Sequence, residues 1–203
     1  MSLLLVFCFL QFSHSDRPAV SDPISSVFKI TTLNEKDIPN NIPQLKGNIV
    51  ASARWSDKNG DNIIMISEFR KGQILEPGYA SELYAIQFSI NPSGCDTVWK
   101  IKDFNYQDAE VEYAQGTLKI LDIDKDSIAE SSFFYTIAST EKQITKFMMH
   151  TKRKKLAIRG FWTIGSESED PQLDSVVIDK VFNRFHKKFK EYAINEWDRI
   201  VNQ

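Results

Sequence analysis

The densest chemistry in this sequence lies in Leu121-Asp122-Ile123-Asp124-Lys125-Asp126-Ser127-Ile128-Ala129-Glu130. Counted from Asp122, carboxylates stand at positions 1, 3, 5 and 9. Calcium takes six to eight hard oxygen ligands, and alternating aspartates in a tight loop aim several of them at one point. The predicted ligand set is Asp122, Asp124, Asp126 and Glu130, completed by the backbone carbonyl of Ile128. Electrostatics also ask for a cation. Two carboxylates ~5 Å apart repel by roughly 0.8 kcal/mol in water, and by about 3 kcal/mol at an effective dielectric near 20. A bound ion or a raised pKa relieves that repulsion. A solvated acidic turn with splayed side chains is the competing reading of the same residues.

This loop is not an EF-hand, because position 12 is Phe133 and the flanks read as strands. It resembles the shorter Asp-rich loop between strands of integrin-type β-propeller repeats, where the ninth position holds the last acid. Ser127 stands where those loops usually carry Gly, which tolerates positive φ. The loop does not recur at a fixed period, so a propeller is not implied. A second string, Asp57-Lys58-Asn59-Gly60-Asp61-Asn62 with Glu68 at position 12, looks more like an EF-hand on paper. Its Asn-Gly sits between apolar runs, which is a hairpin signal. A hairpin is therefore predicted there, with an ion site as the alternative.

The remaining polar clusters point to little chemistry. Lys152-Arg153-Lys154-Lys155 reads as a solvated turn, and Glu167, Glu169, Asp170 and Asp174 as a solvated acidic loop. His150 and His186 lack neighbouring ligands and do not argue for zinc. Cys95 lies in a turn-rich stretch with nothing nearby in sequence to activate it, and reads as a half-buried thiol. Nucleophile-elbow, dinucleotide-loop and Walker patterns are absent from the sequence. No catalytic constellation emerges, although a pair of acid–base carboxylates acting on polysaccharide stays open as an alternative.

These residues need a scaffold, and the composition supplies a globular one. The chain has 203 residues, 42% of them hydrophobic and 26% charged. Lys plus Arg number 25 against 27 Asp plus Glu, so the basic excess of a nucleic-acid binder is missing. Tyr84, Ile86, Phe88 and Ile90 alternate with Ala85, Gln87 and Ser89, the period of a half-buried strand. Shorter alternations follow at Trp99–Ile101, Leu118–Ile120, Phe133–Ile137, Phe147–Met149 and Leu156–Ile158, separated by turn signals. The pattern predicts an α+β fold: an antiparallel meander or sandwich with one long amphipathic C-terminal helix packed on it. Ile178, Phe182, Phe185, Phe189, Ala193, Trp197 and Ile200 recur at steps of three or four, which predicts that helix over about 175–201. Asp174 or Ser175 would cap it. Phe185 and Phe189 should be buried, and Lys187 and Lys190 exposed.

The N-terminus reads as an address. Ser2 to Phe12 is apolar and uncharged, and Ser13-His14-Ser15 follows, predicting a signal peptide over 1–15 cleaved after Ser15. A lipid anchor through Cys8 is the alternative. The apolar run is too short to span a bilayer, so the mature chain carries no predicted transmembrane span. Residues 16–47, with Pro18, Pro23, Pro39 and Pro43, read as an extended arm whose only candidate strand is Val27–Thr32. Residues 48–203 read as a single β-rich domain.

One family resemblance follows from the motifs in order. They are Ala53-Arg54-Trp55-Ser56-Asp57-Lys58, Gly60-Asp61-Asn62, Glu82-Leu83-Tyr84-Ala85, Trp99-Lys100, Asp122-Ile123-Asp124-Lys125 with Ile128-Ala129-Glu130, Ala157-Ile158-Arg159-Gly160, and the segment Phe189–Trp197. From about Ile49 onward the chain resembles a family of exported Bacteroidetes proteins of uncharacterised activity, some members of which are labelled surface polysaccharide biosynthesis. The resemblance implies a periplasmic or cell-surface setting, with a glycan or an envelope protein as partner. It implies no catalytic residues.

Overall fold

The computed structural model describes residues 28–73, 79–106, 109–151, 154–165, 171–185 and 187–201. The predicted leader, Cys8, Lys152, Arg153, Glu167, Glu169, Asp170 and His186 lie outside the described residues. In chain order the elements are β1 (Thr31–Thr32), β2 (Asn48–Asp57), β3 (Gly60–Lys71), β4 (Ala80–Asn91), β5 (Gly94–Tyr106), β6 (Glu110–Tyr113), β7 (Lys119–Leu121), β8 (Glu130–Ala138), β9 (Lys142–His150), β10 (Lys155–Thr163), β11 (Gln172–Ile178) and α1 (Lys187–Val201). Single 3-10 turns occupy Glu35–Asp37 and Lys180–Arg184.

Two antiparallel sheets form a sandwich. The first runs β1-β2-β3-β4-β5; the second runs β11-β10-β9-β8-β6, with β7 also paired to β8. The predicted α+β architecture is therefore the observed one. Between the sheets lies a core of Trp55, Ile64, Ile66, Leu83 and Trp99 from the first sheet and Val111, Tyr113, Phe133 and Tyr135 from the second. Each sheet is also covered on its outer face. The arm lays Leu33, Ile38, Ile42 and Leu45 over Ile63, Met65 and Phe88. Helix α1 lays Phe189, Tyr192, Ala193 and Trp197 over Phe134, Phe147, Met149, Leu156 and Ile158.

This four-layer arrangement explains why burial does not alternate along β3 and β8. In β3, Ile63, Ile64, Met65 and Ile66 are all buried, because both faces of the strand are covered. In β8, every residue from Glu130 to Tyr135 is buried for the same reason. Each large side chain buried this way contributes about 1.5–3 kcal/mol. Two glycines permit the close approaches. A Cβ on Gly47, at φ 89, would lie 2.1 Å from the carbonyl oxygen of Glu68, so only glycine lets the arm turn onto β3 here. A Cβ on Gly160 would meet the Trp197 ring at 2.7 Å, so this glycine lets α1 settle on β10.

Several expectations need correction. Among its described residues the arm is not merely extended: it packs, and its strand there is Thr31–Thr32, while Val27 of the predicted strand lies outside the described residues. The C-terminal helix starts at Lys187 rather than near 175. Residues 172–178 are instead the edge strand β11, on which Asp174 bonds Thr163 Oγ1 rather than capping a helix. The Asp179 side chain accepts the Val181 N–H and starts the 3-10 turn, and Phe185 is extended (φ -111°, ψ 171°). Phe182 and Phe189 are buried as the stripe required, Phe185 is half-buried, and Lys187 is exposed. Lys190 is half-buried. The supposed polar face of β4 points inward. Gln87 is buried, donating to Asn62 Oδ1 (3.1 Å) and accepting from Trp99 Nε1 (2.6 Å).

Candidate metal centre

The acidic loop is the connection of the β7–β8 hairpin. Leu121 pairs with Glu130, so the residues between them form an excursion from the sheet. Its conformation is set by its own carboxylates. Asp122 Oδ1 accepts the Asp126 N–H and Asp122 Oδ2 accepts the Ser127 N–H, both at 3.0 Å. Asp126 Oδ1 accepts the Ile128 N–H at 2.9 Å. Glu130 Oε2 reaches back to the Ile123 N–H at 2.9 Å. Lys125 and Ser127 adopt positive φ, 65° and 67°. The left-handed region costs a non-glycine residue roughly 1–2 kcal/mol, so the side-chain bonds hold this backbone against its own preference. Ser127 thus takes a positive-φ conformation that glycine would adopt without the Cβ penalty.

The result brings three of the predicted ligands together. Asp122, Asp124 and Glu130 each offer an oxygen within 4.8 Å of the others. Asp122 and Glu130 are buried and Asp124 is half-buried. Asp126 stands outside this trio, its Oδ1 engaged with the Ile128 backbone. Ile128 is half-buried in the loop. Three ionised carboxylates at such distances repel by roughly 3–4 kcal/mol per pair at an effective dielectric near 20. Burial, and then the charges of Asp124, Asp126 and Asp122, push the Glu130 carboxyl up to about 8. All the converging donors are carboxylate oxygens, the hard set that calcium and magnesium take and that suits zinc or copper poorly.

The second Asp-rich string forms the predicted hairpin. Asp57 pairs with Gly60 across a two-residue turn. Its acids disperse. Asp61 pairs with Arg54 at 2.9 Å and accepts from Ser56 Oγ, which together lower its pKa. Glu68 takes the Tyr113 N–H, and burial raises its carboxyl. Asn62 is buried against Gln87. Nothing converges on an ion here.

One member of that string nevertheless serves the other loop. Asp57 Oδ2 accepts Trp55 Nε1–H at 3.1 Å and, across the sandwich, the Ala129 N–H at 3.2 Å; its Oδ1 accepts the Asn59 N–H at 2.8 Å. Beside it, the Lys58 N–H donates to the Ser127 carbonyl at 2.9 Å. The hairpin tip of the first sheet thus fastens two residues of the acidic loop of the second. Sequence gave no local signal for this role, because the partners lie 72 positions apart.

Other expected features fall where solvent or core takes them. His150 is buried at a ring distance of 5.0 Å from Trp99, and burial, aided by Lys155, lowers its pKa to about 3. Cys95 is half-buried, with its sulfur 3.5 Å from the Asn41 carbonyl. A groove of about 480 Å³ lies between the sheets, lined by Ile30, Val50, Tyr113, Leu118 and Lys119 among others. No described helix is long and apolar enough to cross a membrane. No family model matches the chain, and neither a curated protein nor a solved structure does.

Proposed function

We propose that this protein is an exported, non-enzymatic β-sandwich module that carries calcium as a structural clasp and acts against a glycan or envelope-protein partner. The convergence of Asp122, Asp124 and Glu130 within 4.8 Å carries the reading. Calcium would take the place of the Glu130 proton, by which the ion-free fold relieves the burial and repulsion of the carboxylate trio. It would do so in a loop tied to both sheets, where binding energy becomes folding energy. Export is supported by the uncharged run Ser2–Phe12 with Ser13-x-Ser15 behind it. The envelope setting and glycan partner are supported by the family resemblance. Affinities of 10⁻⁴–10⁻³ M are usual for extracellular modules and suit a compartment open to external calcium.

The alternative, an acid–base enzyme, has one attraction: Glu130 has the raised pKa of a general acid. Yet Glu130 is 2% exposed, which leaves a polysaccharide no approach to it. The groove between the sheets offers no carboxylate or histidine among its described lining residues.

Thermal melts test the clasp. At ten times Kd, calcium adds about 1.4 kcal/mol of stability, so the melting temperature rises when millimolar calcium replaces chelator. Asp124→Asn removes most of that rise, and magnesium gives less because it demands tight octahedral geometry. A melt unchanged by 10 mM calcium would sink the proposal and leave an acidic turn.

A further inference from the structure

The two sheets overlap incompletely. β5 ends the first sheet, and β10 and β11 follow β9 at the end of the second. β5 stands over β9: Trp99 stacks on His150 with ring centroids 5.0 Å apart, and Asp103 Oδ2 accepts from Lys146 Nζ. The inner faces of β10 and β11 therefore project past the first sheet as a ledge, and all seven residues of β11 are exposed. Tyr135, Lys146, Arg159 and Val177 are paired in one row across this face, and Ile137, Ile144, Phe161 and Ser175 form the next. The first row holds more positive charge than the fold uses. Asp103 is spent: its Oδ2 also accepts the Tyr135 hydroxyl at 2.8 Å, and its Oδ1 accepts the Phe104 N–H at 3.0 Å. Arg159, one strand further out and half-buried, takes part in no hydrogen bond or ion pair among the described residues. Lys142, exposed and paired with Thr163, adds a cation on the far side of Phe161. Asp174 is engaged at that end by the Thr163 hydroxyl, 2.8 Å away.

A guanidinium offers five N–H donors in a planar fork that matches a carboxylate, and it is more weakly hydrated than an ammonium. Beside the Arg159 fork stands the half-buried Phe161 ring, two residues along the same strand and so about 6–7 Å away by the rise of a strand. Ser175 is paired with Phe161 across the ledge. A sugar acid has the matching parts: a carboxylate, hydroxyls, and a ring face of C–H bonds whose partial positive charge suits the negative face of an aromatic ring. We infer that this ledge binds an acidic sugar of a glycan, with Arg159 forking its carboxylate and Phe161 receiving the C–H face of its ring; the inference rests on the glycan partner proposed above. An acidic peptide answers the charge only.

Titration calorimetry on the full chain tests this with uronate tetrasaccharides from polygalacturonate, alginate and hyaluronan, each beside its carboxyl-reduced, neutral form. At least one uronate should bind about tenfold or more tighter than its reduced form, the worth of one charge-assisted fork. Arg159→Met should weaken that binding by about the same factor, and Arg159→Lys, which keeps the charge without the fork, should recover only part of it. Both variants should melt as the parent does, because Arg159 holds no partner within the described fold. Uronate binding that Arg159→Met leaves intact overturns the inference while the glycan reading stands, and so does equal binding of the reduced forms. No binding of either form overturns both. A response to tetraglutamate that needs Arg159, with none to any uronate, makes the partner an acidic protein and likewise overturns the inference.

Discussion

The two Asp-rich strings make an instructive pair. The first, Asp57 to Asn62, is nearer to a known calcium motif by eye, yet its acids end on Arg54 and on backbone N–H groups while Asn62 turns into the core. The second, Asp122 to Glu130, departs from its motif at Ser127, yet three of its carboxylates meet. The supporting element decides. The two-residue turn sets Asp61 opposite Ser56 and Asp57 opposite Gly60, so the two aspartates lie on opposite faces of the hairpin and cannot converge. An excursion anchored by Asp122 bonds and by two left-handed residues turns its side chains inward. Ligand spacing matters only once the backbone that carries it is known.

The sharpest break between the strings is expected from pH. In chelator, Glu130 takes up its proton on folding, because its folded pKa of about 8 exceeds the ordinary value of 4.5. Its contribution is complete below pH 4.5 and is lost as pH rises toward 8, a fall of a few kcal/mol at most. His150 acts in the opposite sense: its folded pKa is lowered, so its contribution is complete above pH 6.5 and is lost as pH falls toward 3. Between pH 6.5 and 8, therefore, melts in chelator should decline with pH, and calcium or Glu130→Gln should flatten the decline. A chelated melt that is level over that window would show that burial and the neighbouring carboxylates do not raise the Glu130 carboxyl.

Next in size is Asp122→Ala. It leaves the Asp126 and Ser127 N–H groups without their acceptor and should cost about 3 kcal/mol in calcium, read by denaturant unfolding. Asp61→Ala, at an exposed pair, should cost less than about 1 kcal/mol. Equal losses would erase the distinction drawn here. Asp57→Ala should fall between them, near 2 kcal/mol, because it strips the Ala129 N–H and the Trp55 indole of their acceptor. Unlike Asp61→Ala, it should also shrink the calcium response. The smallest effect is expected at Ser127→Gly, a gain of about 0.5–1 kcal/mol from relief at φ 67°, partly offset by the freer unfolded chain. A loss there would mean that the serine side chain holds the loop.

Legibility followed the range of the interactions. The hairpin at Asn59-Gly60 and the alternation in β4, β5 and β8 are local, and were readable. So was the acidic loop in its internal bonds, which span at most seven positions. The start of the helix was not. Ile178, Phe182 and Phe185 continue the spacing of Phe189 and Trp197, but a strand end and a 3-10 turn place apolar residues three or four apart as readily as a helix does. The β-branched run Val176-Val177-Ile178 carried the contrary signal. Which face of a strand is buried was also hidden: Gln87 reads as polar surface until Asn62 and Trp99 arrive from other strands to bond it. The arm's docking and the part played by Asp57 depend on the same kind of remote partner.

The tie from Asp57 to Ala129 has a kinetic consequence. It spans 72 positions, so it closes only after both sheets have formed and met. Until then the acidic loop lacks the hairpin that braces it, and a partly folded chain would have little hold on the proposed calcium. Ligation that matures after the transition state leaves the folding rate almost unchanged and appears in the rate of unfolding. Calcium should therefore lengthen the lifetime of the finished sandwich without hastening its assembly. In the exported setting proposed above, out of reach of cytoplasmic chaperones, persistence of that kind is worth more than speed.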